Sequence, residues 1–437
     1  MFPTYEEALN WIHSRLRLGI KPGLTRMNMM MEKLNFPEKQ IKTVHVGGTN
    51  GKGSTVTYLR CILEEAGLTV GTFTSPYIEQ FNERISVNGI PIADEEIREL
   101  ANRMYPIVKE MDQLEIGGPT EFEIITAMSL YYFAYVHKVD IVLYEVGLGG
   151  RFDSTNIISP LLSIITSIGL DHTAILGNTY AEIAFEKAGI IKKNTPIITA
   201  VKQKEAEEVI IKKATDETAP IYLLNKHFMI ENHQSILKGE RFSFKTAATK
   251  MQDLHISMMG VHQTENASLA ILAALLLKQE SFPQIKEEAI RAGVMEAKWP
   301  GRFEIISDNP LIILDGAHNE EGVQALTEEL TKRYPNRKKR ILFAALKDKK
   351  TDKMIQQLDR IAERIVFVSF DYPRAATCYE LYEESNHPHK SYAEEWKQAI
   401  NEQVENIGND EIFVITGSLY FLSEVKAYWK QKKREDK

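Results

Sequence analysis

The run Thr43-Val44-His45-Val46-Gly47-Gly48-Thr49-Asn50-Gly51-Lys52-Gly53-Ser54-Thr55 leaves this chain few folds to choose from. Ile41, Val44 and Val46 read as the end of a short buried strand, and Thr55-Val56-Thr57-Tyr58-Leu59-Arg60-Cys61-Ile62-Leu63 as a helix closed by Gly67. A glycine-rich turn between strand and helix aims backbone N–H groups at an anion, with the positive end of the helix dipole behind them. Lys52 adds a point charge for phosphates, and Ser54 a hydroxyl of the kind that ligates Mg2+. The spacing departs from the strict phosphate-loop pattern: Gly47 precedes Gly51 by four residues instead of five, and Gly53 separates Lys52 from Ser54. An ordinary glycine-rich βα turn would carry the same glycines. The flanking strand and helix favour a nucleoside-triphosphate site.

A chain of 437 residues is long enough for two or three domains. Its 43% apolar and 26% charged residues are those of a globular protein. The net charge of −7 argues against a broad nucleic-acid footprint, so an anionic substrate must be met by a local basic pocket. The densest basic block, Arg337-Lys338-Lys339-Arg340, is short and reads as a solvated loop leading into a strand. Cys61 and Cys378 suggest neither a disulfide framework nor a zinc site, which favours a reducing compartment. The N-terminus lacks a basic segment followed by an apolar core, and no apolar run reaches the roughly 18 residues of a membrane span. The expectation is a cytoplasmic protein without nucleic-acid or membrane partners.

Residues 1 to 40 read as helical, broken at Pro22-Gly23. Continuous apolar runs at 140–144, 161–166 and 196–199 alternate with helical patterns, as in a parallel sheet covered on both faces. Residues 221–260 change to short alternating stretches that suit antiparallel strands, and helices follow over 266–277 and 284–292. After Trp299-Pro300-Gly301-Arg302 the strand–helix rhythm restarts, with strand-like runs at 311–314, 341–344, 365–368 and 412–415. The reading is α/β throughout: a phosphate-loop domain over 1–296 with a parallel central sheet, and a smaller Rossmann-like α/β domain over 297–437. Residues 430–437 read as a frayed, solvated end.

Open parallel sheets place ligand sites beyond the carboxyl ends of their strands. Glu145 ends the 140–144 run, where it could hold Mg2+ against phosphates or simply cap a loop. Asp171-His172 follows the 161–166 run, and Asp315-Gly316-Ala317-His318-Asn319 follows the first run of the second domain and should face an inter-domain cleft. Lys187 stands four residues past Ile183, beside the apolar stripe of its helix. There it either loses its charge by burial or snorkels to solvent.

Taken together, these segments resemble the folylpolyglutamate synthase/dihydrofolate synthase family, a branch of the Mur-ligase superfamily. The resemblance rests on Gly48 through Ser54; Lys21-Pro22-Gly23-Leu24 with Arg26; Thr74-Ser75-Pro76; Pro119-Thr120-Glu121-Phe122-Glu123; and Glu145 through Asn156. It continues through Gly169-Leu170-Asp171-His172, Glu186-Lys187-Ala188-Gly189, His262-Gln263 with Asn266-Ala267, Pro300-Gly301-Arg302-Phe303-Glu304, Asp315 through Asn319, and Thr416-Gly417-Ser418. Tyr77 departs from it, since the family often has His there.

The resemblance implies a role for each matching position. Asn50, Gly51, Lys52, Gly53 and Ser54 would bind ATP, joined by Asn266, Arg302 and Asp315. Ser54, Ser75, Glu145 and His172 would make two Mg2+ sites. Lys187 would be carbamylated to N6-carboxylysine and orient the second Mg2+. Thr120, Glu121, Phe122, Phe152, Asp153 and Ser154 would line the pterin-bearing substrate, with His318 and Ser418 on the glutamate side. The implied reaction activates a folate or dihydropteroate carboxylate as an acyl phosphate and ligates L-glutamate to it, in a protein expected to be a monomer. Two rivals share the phosphate loop. A UDP-muramyl amino-acid ligase would carry a nucleotide-sugar domain first, for which the residues ahead of the loop are few. A nucleotide-switch ATPase would have no use for the strand-end residues of the second domain.

Overall fold

The computed structural model describes residues 1–19 and 21–435. Eight strands form the first sheet: β1 (Thr43–Gly47), β2 (Val70–Phe73), β3 (Ile85–Val87), β4 (Ile90–Pro91), β5 (Ile141–Glu145), β6 (Leu162–Ile165), β7 (Ile197–Thr199) and β8 (Ile221–Leu223). Their order is β4-β3-β2-β5-β1-β6-β7-β8. From β2 to β8 the pairs are parallel, and only β3 and β4 run antiparallel at one edge. Every residue of β1, β5 and β6 is buried, which is why β5 and β6 read as continuous apolar runs rather than alternating ones.

One face of this sheet packs on the helices Lys52–Glu65, Val261–Glu280 and Glu287–Glu296. The other carries Tyr5–Ser14, Thr25–Lys33, Asp94–Met111 and Glu121–Tyr131 beside Phe73, Val142 and Tyr144. An antiparallel meander of β9 (Phe228–Ile236), β10 (Gly239–Thr246) and β11 (Lys250–Ile256) inserts Phe228, Phe242 and Phe244 into the first of these cores.

The third sheet contains β12 (Glu304–Asp308), β13 (Leu311–Asp315), β14 (Lys338–Ala344), β15 (Ala362–Val368), β16 (Lys390–Ala393) and β17 (Glu411–Gly417), in the order β12-β13-β17-β14-β15-β16. All pairs but β12–β13 are parallel, and helices cover both faces in a second α/β domain. Among the described residues no helix is long and apolar enough to cross a membrane.

Three expectations need correction. The phosphate-loop helix begins at Lys52, three residues ahead of Thr55, because its first turn is polar and escapes an apolar pattern. The block 337–340 is not a solvated loop: Lys338–Ala344 is one strand, where Lys339 and Arg340 are buried. Arg340 pairs with Glu411 on the neighbouring strand at 2.7 Å, and Lys339 Nζ donates to Tyr334 O at 2.7 Å. The last helix, Leu419–Glu435, runs through the segment read as frayed, and Lys430 pairs with Glu79 of the first domain. Asp436 and Lys437 lie outside the described residues.

Candidate active site

The loop after β1 is shaped by its glycines. Gly48 has φ +142°, and a Cβ there would lie 1.9 Å from Thr166 Oγ1. Gly51, at φ +88°, caps the helix and leaves room for Asn266, whose Oδ1 would lie 2.3 Å from a Cβ. Hydrogen bonds to the end of β6 fix the loop: Thr49 N–H donates to Ser167 O at 2.8 Å and Thr166 Oγ1 to Asn50 O at 2.6 Å. The first helical bond runs from Thr55 N–H to Gly51 O at 2.9 Å, so the amides of Lys52, Gly53 and Ser54 have no helical acceptor. Lys52 folds back onto its own loop, with Nζ donating to Gly48 O and Thr49 O at 3.1 Å each. Burial lowers its pKa, opposed by the carboxylates of Glu145 and Asp171.

Glu145, the last residue of β5, is buried, and among the described residues its carboxylate accepts a single hydrogen bond, from Ser75 N–H at 3.2 Å. Burial pushes its pKa up and Lys52 pulls it back. Lys187 does not snorkel: it is 5% exposed, and its Nζ donates to Gly48 O at 2.9 Å on the underside of the loop. Burial, with Lys52 nearby, brings its pKa down to about 7, so much of the amine is neutral near physiological pH. Ser54 Oγ is buried and accepts from Gln263 Nε2 at 3.4 Å, while Gln263 Oε1 accepts from Asn266 Nδ2 at 3.1 Å.

The third sheet closes the site from the other side. Asp315, ending β13, accepts N–H groups from Phe303 (2.8 Å) and Ala317 (2.9 Å), and Arg302 donates to Gly316 O at 3.3 Å. His318 Nδ1 lies 2.7 Å from Gly316 O, and its Nε2 3.9 Å from Asp171. Asn319 exchanges side-chain hydrogen bonds with Asn50 (3.0 and 3.1 Å) and donates to Asp171 at 3.2 Å. Lys349 reaches across to Asp171 at 2.6 Å and stands 3.4 Å from His172 Nε2. Burial works against Asp171 ionising, but Lys349, His172 and His318 hold it well below the usual carboxylate range. Burial and Lys349 bring His172, held at φ +51°, down to about 4.

Two family models match the chain, the Mur ligase middle domain over residues 46–274 and the Mur ligase glutamate ligase domain over 301–419. The dihydrofolate synthase/folylpolyglutamate synthase of Bacillus subtilis is 53% identical over 98% of this chain and 99% of that protein. The chain belongs to this family of Mur ligases. Among solved structures, the Mycobacterium tuberculosis folylpolyglutamate synthase complexed with ADP superposes with a TM-score of 0.91 at 27% identity, covering 97% of this chain and 99% of that one. A folylpolyglutamate synthase in complex with AMPPCP and folate gives 0.84 at 32% identity, with the same coverage.

In the ligase, the segment expected to hold the acceptor forms a wall beside this centre. Thr120 caps the helix Glu121–Tyr131 in a reciprocal box with Glu123, and Glu123 pairs with buried Arg26 at 2.9 Å. Glu121 meets His13 at 3.2 Å. The Phe122 ring packs where a Cβ on Gly147 would lie, 2.5 Å away. Asp153 accepts from Leu148 N–H at 2.8 Å and caps the short turn Ser154–Ile157. Phe152 is half exposed beneath the Arg151 guanidinium, 4.3 Å from its ring centre. Ser418 follows β17, buried, with no partner for its Oγ among the described residues.

Sequence reasoning gave no role to Lys349, Gln263 or Asn319. Asn319 and Gln263 lie inside quoted segments, and Lys349 follows a strand-like run within Lys347-Asp348-Lys349-Lys350. Applying the strand-end rule a few residues further would have reached it. Magnesium prefers oxygen donors, and the buried Ser54 hydroxyl and lightly bonded Glu145 carboxylate fit that preference.

Proposed function

We propose that this ligase couples ATP cleavage to the addition of L-glutamate to a folate, to dihydropteroate, or to both, through an acyl phosphate. The observation that carries the reading is the group formed by the glycine loop and Lys52 over the buried Glu145 and Lys187, closed by Asp315, His318 and Asn319 from the second domain. The nucleotide complexes and the folate complex of the structural neighbours support it. Residues 1–296 form the nucleotide and acceptor domain, and 297–437 the closing domain.

The amides of Lys52, Gly53 and Ser54 and the Lys52 ammonium hold the nucleotide phosphates, with Asn50 and Gly51 shaping the loop and Asn266, Arg302 and Asp315 around the nucleoside. The acceptor carboxylate attacks the γ-phosphorus in line, and ADP leaves. The glutamate amine then displaces phosphate from the acyl carbon, with His318 and Ser418 placing that amino acid. Closure through Asn319 and Lys349 keeps water from the acyl phosphate. Ser54, Ser75 and Glu145 would hold one Mg2+, and His172 would help hold a second. The metals supply charge neutralisation on the transferring phosphoryl group. Lys187 as a carbamate would keep one N–H for Gly48 O and would supply an anionic oxygen to help hold the second metal. Thr120, Glu121, Phe122, Phe152, Asp153 and Ser154 contact the pterin-bearing acceptor. The enzyme acts in the cytoplasm as a monomer on small molecules.

The test is incorporation of labelled glutamate by purified protein with Mg-ATP and each acceptor in turn. Product with at least one acceptor, and ATP turnover that requires acceptor and glutamate together, is the expected result. ATP turnover indifferent to both would overturn the reading.

A further inference from the structure

Arg84 lies in the turn Phe81–Arg84 and is 7% exposed, yet no carboxylate of the described residues pairs with it and its Nε has no acceptor. The other deeply buried arginines behave differently: Arg15 pairs with Asp112, Arg26 with Glu123 and Arg340 with Glu411. A buried guanidinium without an anion is costly, and its planar fork matches a carboxylate. The carboxylates nearby are engaged elsewhere. Glu83 accepts N–H groups from Ile78, Glu79 and Gln80 at 2.8, 2.9 and 3.0 Å, and Glu121 meets His13. The bonds to Glu83, with Thr74 N–H on Arg84 O at 3.1 Å, fix the turn that carries the guanidinium.

The surroundings indicate which anion is missing. The guanidinium carbon lies 5.3 Å from the Tyr77 ring centre and 5.8 Å from that of Phe81, whose edge meets His13 at 5.4 Å. This joins Arg84 to the acceptor wall through the same His13 that holds Glu121. Across the cleft, Tyr420 stacks on Tyr372 with centroids 4.4 Å apart. Burial and Tyr372 raise the Tyr420 pKa while Arg84 and Arg374 pull it back, so Arg84 is within electrostatic reach of the second domain just beyond Ser418. The unpaired cation therefore sits between the acceptor wall and the strand end where the ligation is read to occur.

We propose that Arg84 binds the α-carboxylate of the glutamyl group already present on a folate acceptor, beside the γ-carboxylate that is activated. Dihydropteroate has no such group, so Arg84 makes the site selective for extending a folate over forming the first glutamyl bond. The proposal rests on the folate reading above. It adds a contact that aligns the reacting γ-carboxylate without taking part in phosphoryl transfer.

The probes are pteroylglutamate and pteroyl-4-aminobutyrate, which keep the same reacting carboxylate and differ only in the α-carboxylate. Their binding is measured by titration calorimetry in wild type, Arg84→Gln and Arg84→Lys. Wild type should bind pteroylglutamate roughly 10–100-fold more tightly than the aminobutyrate analogue, and Arg84→Gln should remove that preference by weakening pteroylglutamate alone. Arg84→Lys, which keeps the charge and the fold but loses the fork, should retain part of it. A wild type that does not distinguish the two ligands overturns the proposal, as does an Arg84→Gln protein that still does. A rise in KM for free glutamate with the acceptor preference intact also overturns it, assigning Arg84 to the incoming amino acid. If neither ligand binds wild type and no acceptor is glutamylated, the functional reading itself has failed.

Discussion

The carboxyl ends of β1 and β5 and those of β13 and β14 face one another, and they are equipped in opposite ways. At the first, charged side chains are turned onto their own domain: buried Lys187 and half-buried Lys52 onto Gly48 O, buried Glu145 onto Ser75 N–H. At the second, several polar side chains reach outward. Asn319 crosses to Asn50 and Asp171, Lys349 crosses to Asp171, and Glu321 accepts Leu170 N–H at 2.9 Å. The first arrangement fixes charge before the substrate arrives, which is what electrostatic catalysis requires. The second forms and breaks with the approach of the domains. One side of the cleft is built for chemistry and the other for closure.

Substitutions can break this contrast, and the largest effect is expected at Glu145. Glu145→Gln keeps the shape and removes the charge, so glutamate incorporation should fall by roughly 10²-fold or more at saturating Mg2+, with the melting temperature held or raised. Near-normal turnover would mean that the buried carboxylate is structural. Lys187→Ala comes next. Most ligase activity should disappear, and a short carboxylic acid in the buffer should restore part of it by replacing the carbamate; full activity would return Lys187 to a purely structural bond with Gly48.

On the closing side, Lys349→Ala should leave the isolated first-domain chemistry intact but weaken the closed state. A loss of about tenfold in ATP affinity by calorimetry is expected, the size of a modest coupling energy. Unchanged affinity would show that Asn319 and Glu321 suffice. The smallest effect belongs to His45, buried in β1 beneath the loop and brought down to about 3 by burial and Lys192. Unfolded, it titrates near 6.5. The unfolded chain thus takes up its proton first, and stability present above pH 6.5 is lost as pH falls toward 3. At pH 6 the loss is about 0.8 kcal/mol, and urea midpoints of His45→Gln should show a correspondingly shallower acid limb.

The chemistry side was largely legible in the sequence and the closure side was not. Gly48, Lys52 and Ser54 sit in one contiguous motif, and Glu145 ends an unbroken apolar run, so short-range pattern was enough. Lys349 and Gln263 act through neighbours that only the fold supplies, more than a hundred residues away in the chain. The same reason explains the basic block: Arg340 looked like a loop residue because Glu411, its partner, lies on a strand paired with it in space. Strands β3 and β4 escaped notice since an edge hairpin as short as Ile90–Pro91 leaves no periodicity to read. The burial of Lys187, left open between two outcomes by its helical position, was decided by Gly48 O from another segment.

Gly53 lies in the first turn of the loop helix, where a Cβ would come within 2.9 Å of the Trp299 indole. That contact gives the ligase an optical probe of its own. Of the four tryptophans, Trp11 stacks on Phe2 and Trp396 meets Phe421, while Trp299 alone is seen against the phosphate loop, on the linker between the domains. With Trp11, Trp396 and Trp429 replaced by Phe, the remaining emission would come from an indole resting on the helix turn proposed to receive phosphate. Its wavelength would follow nucleotide arrival, and its quenching would follow the bending of the linker, in a single unlabelled cuvette.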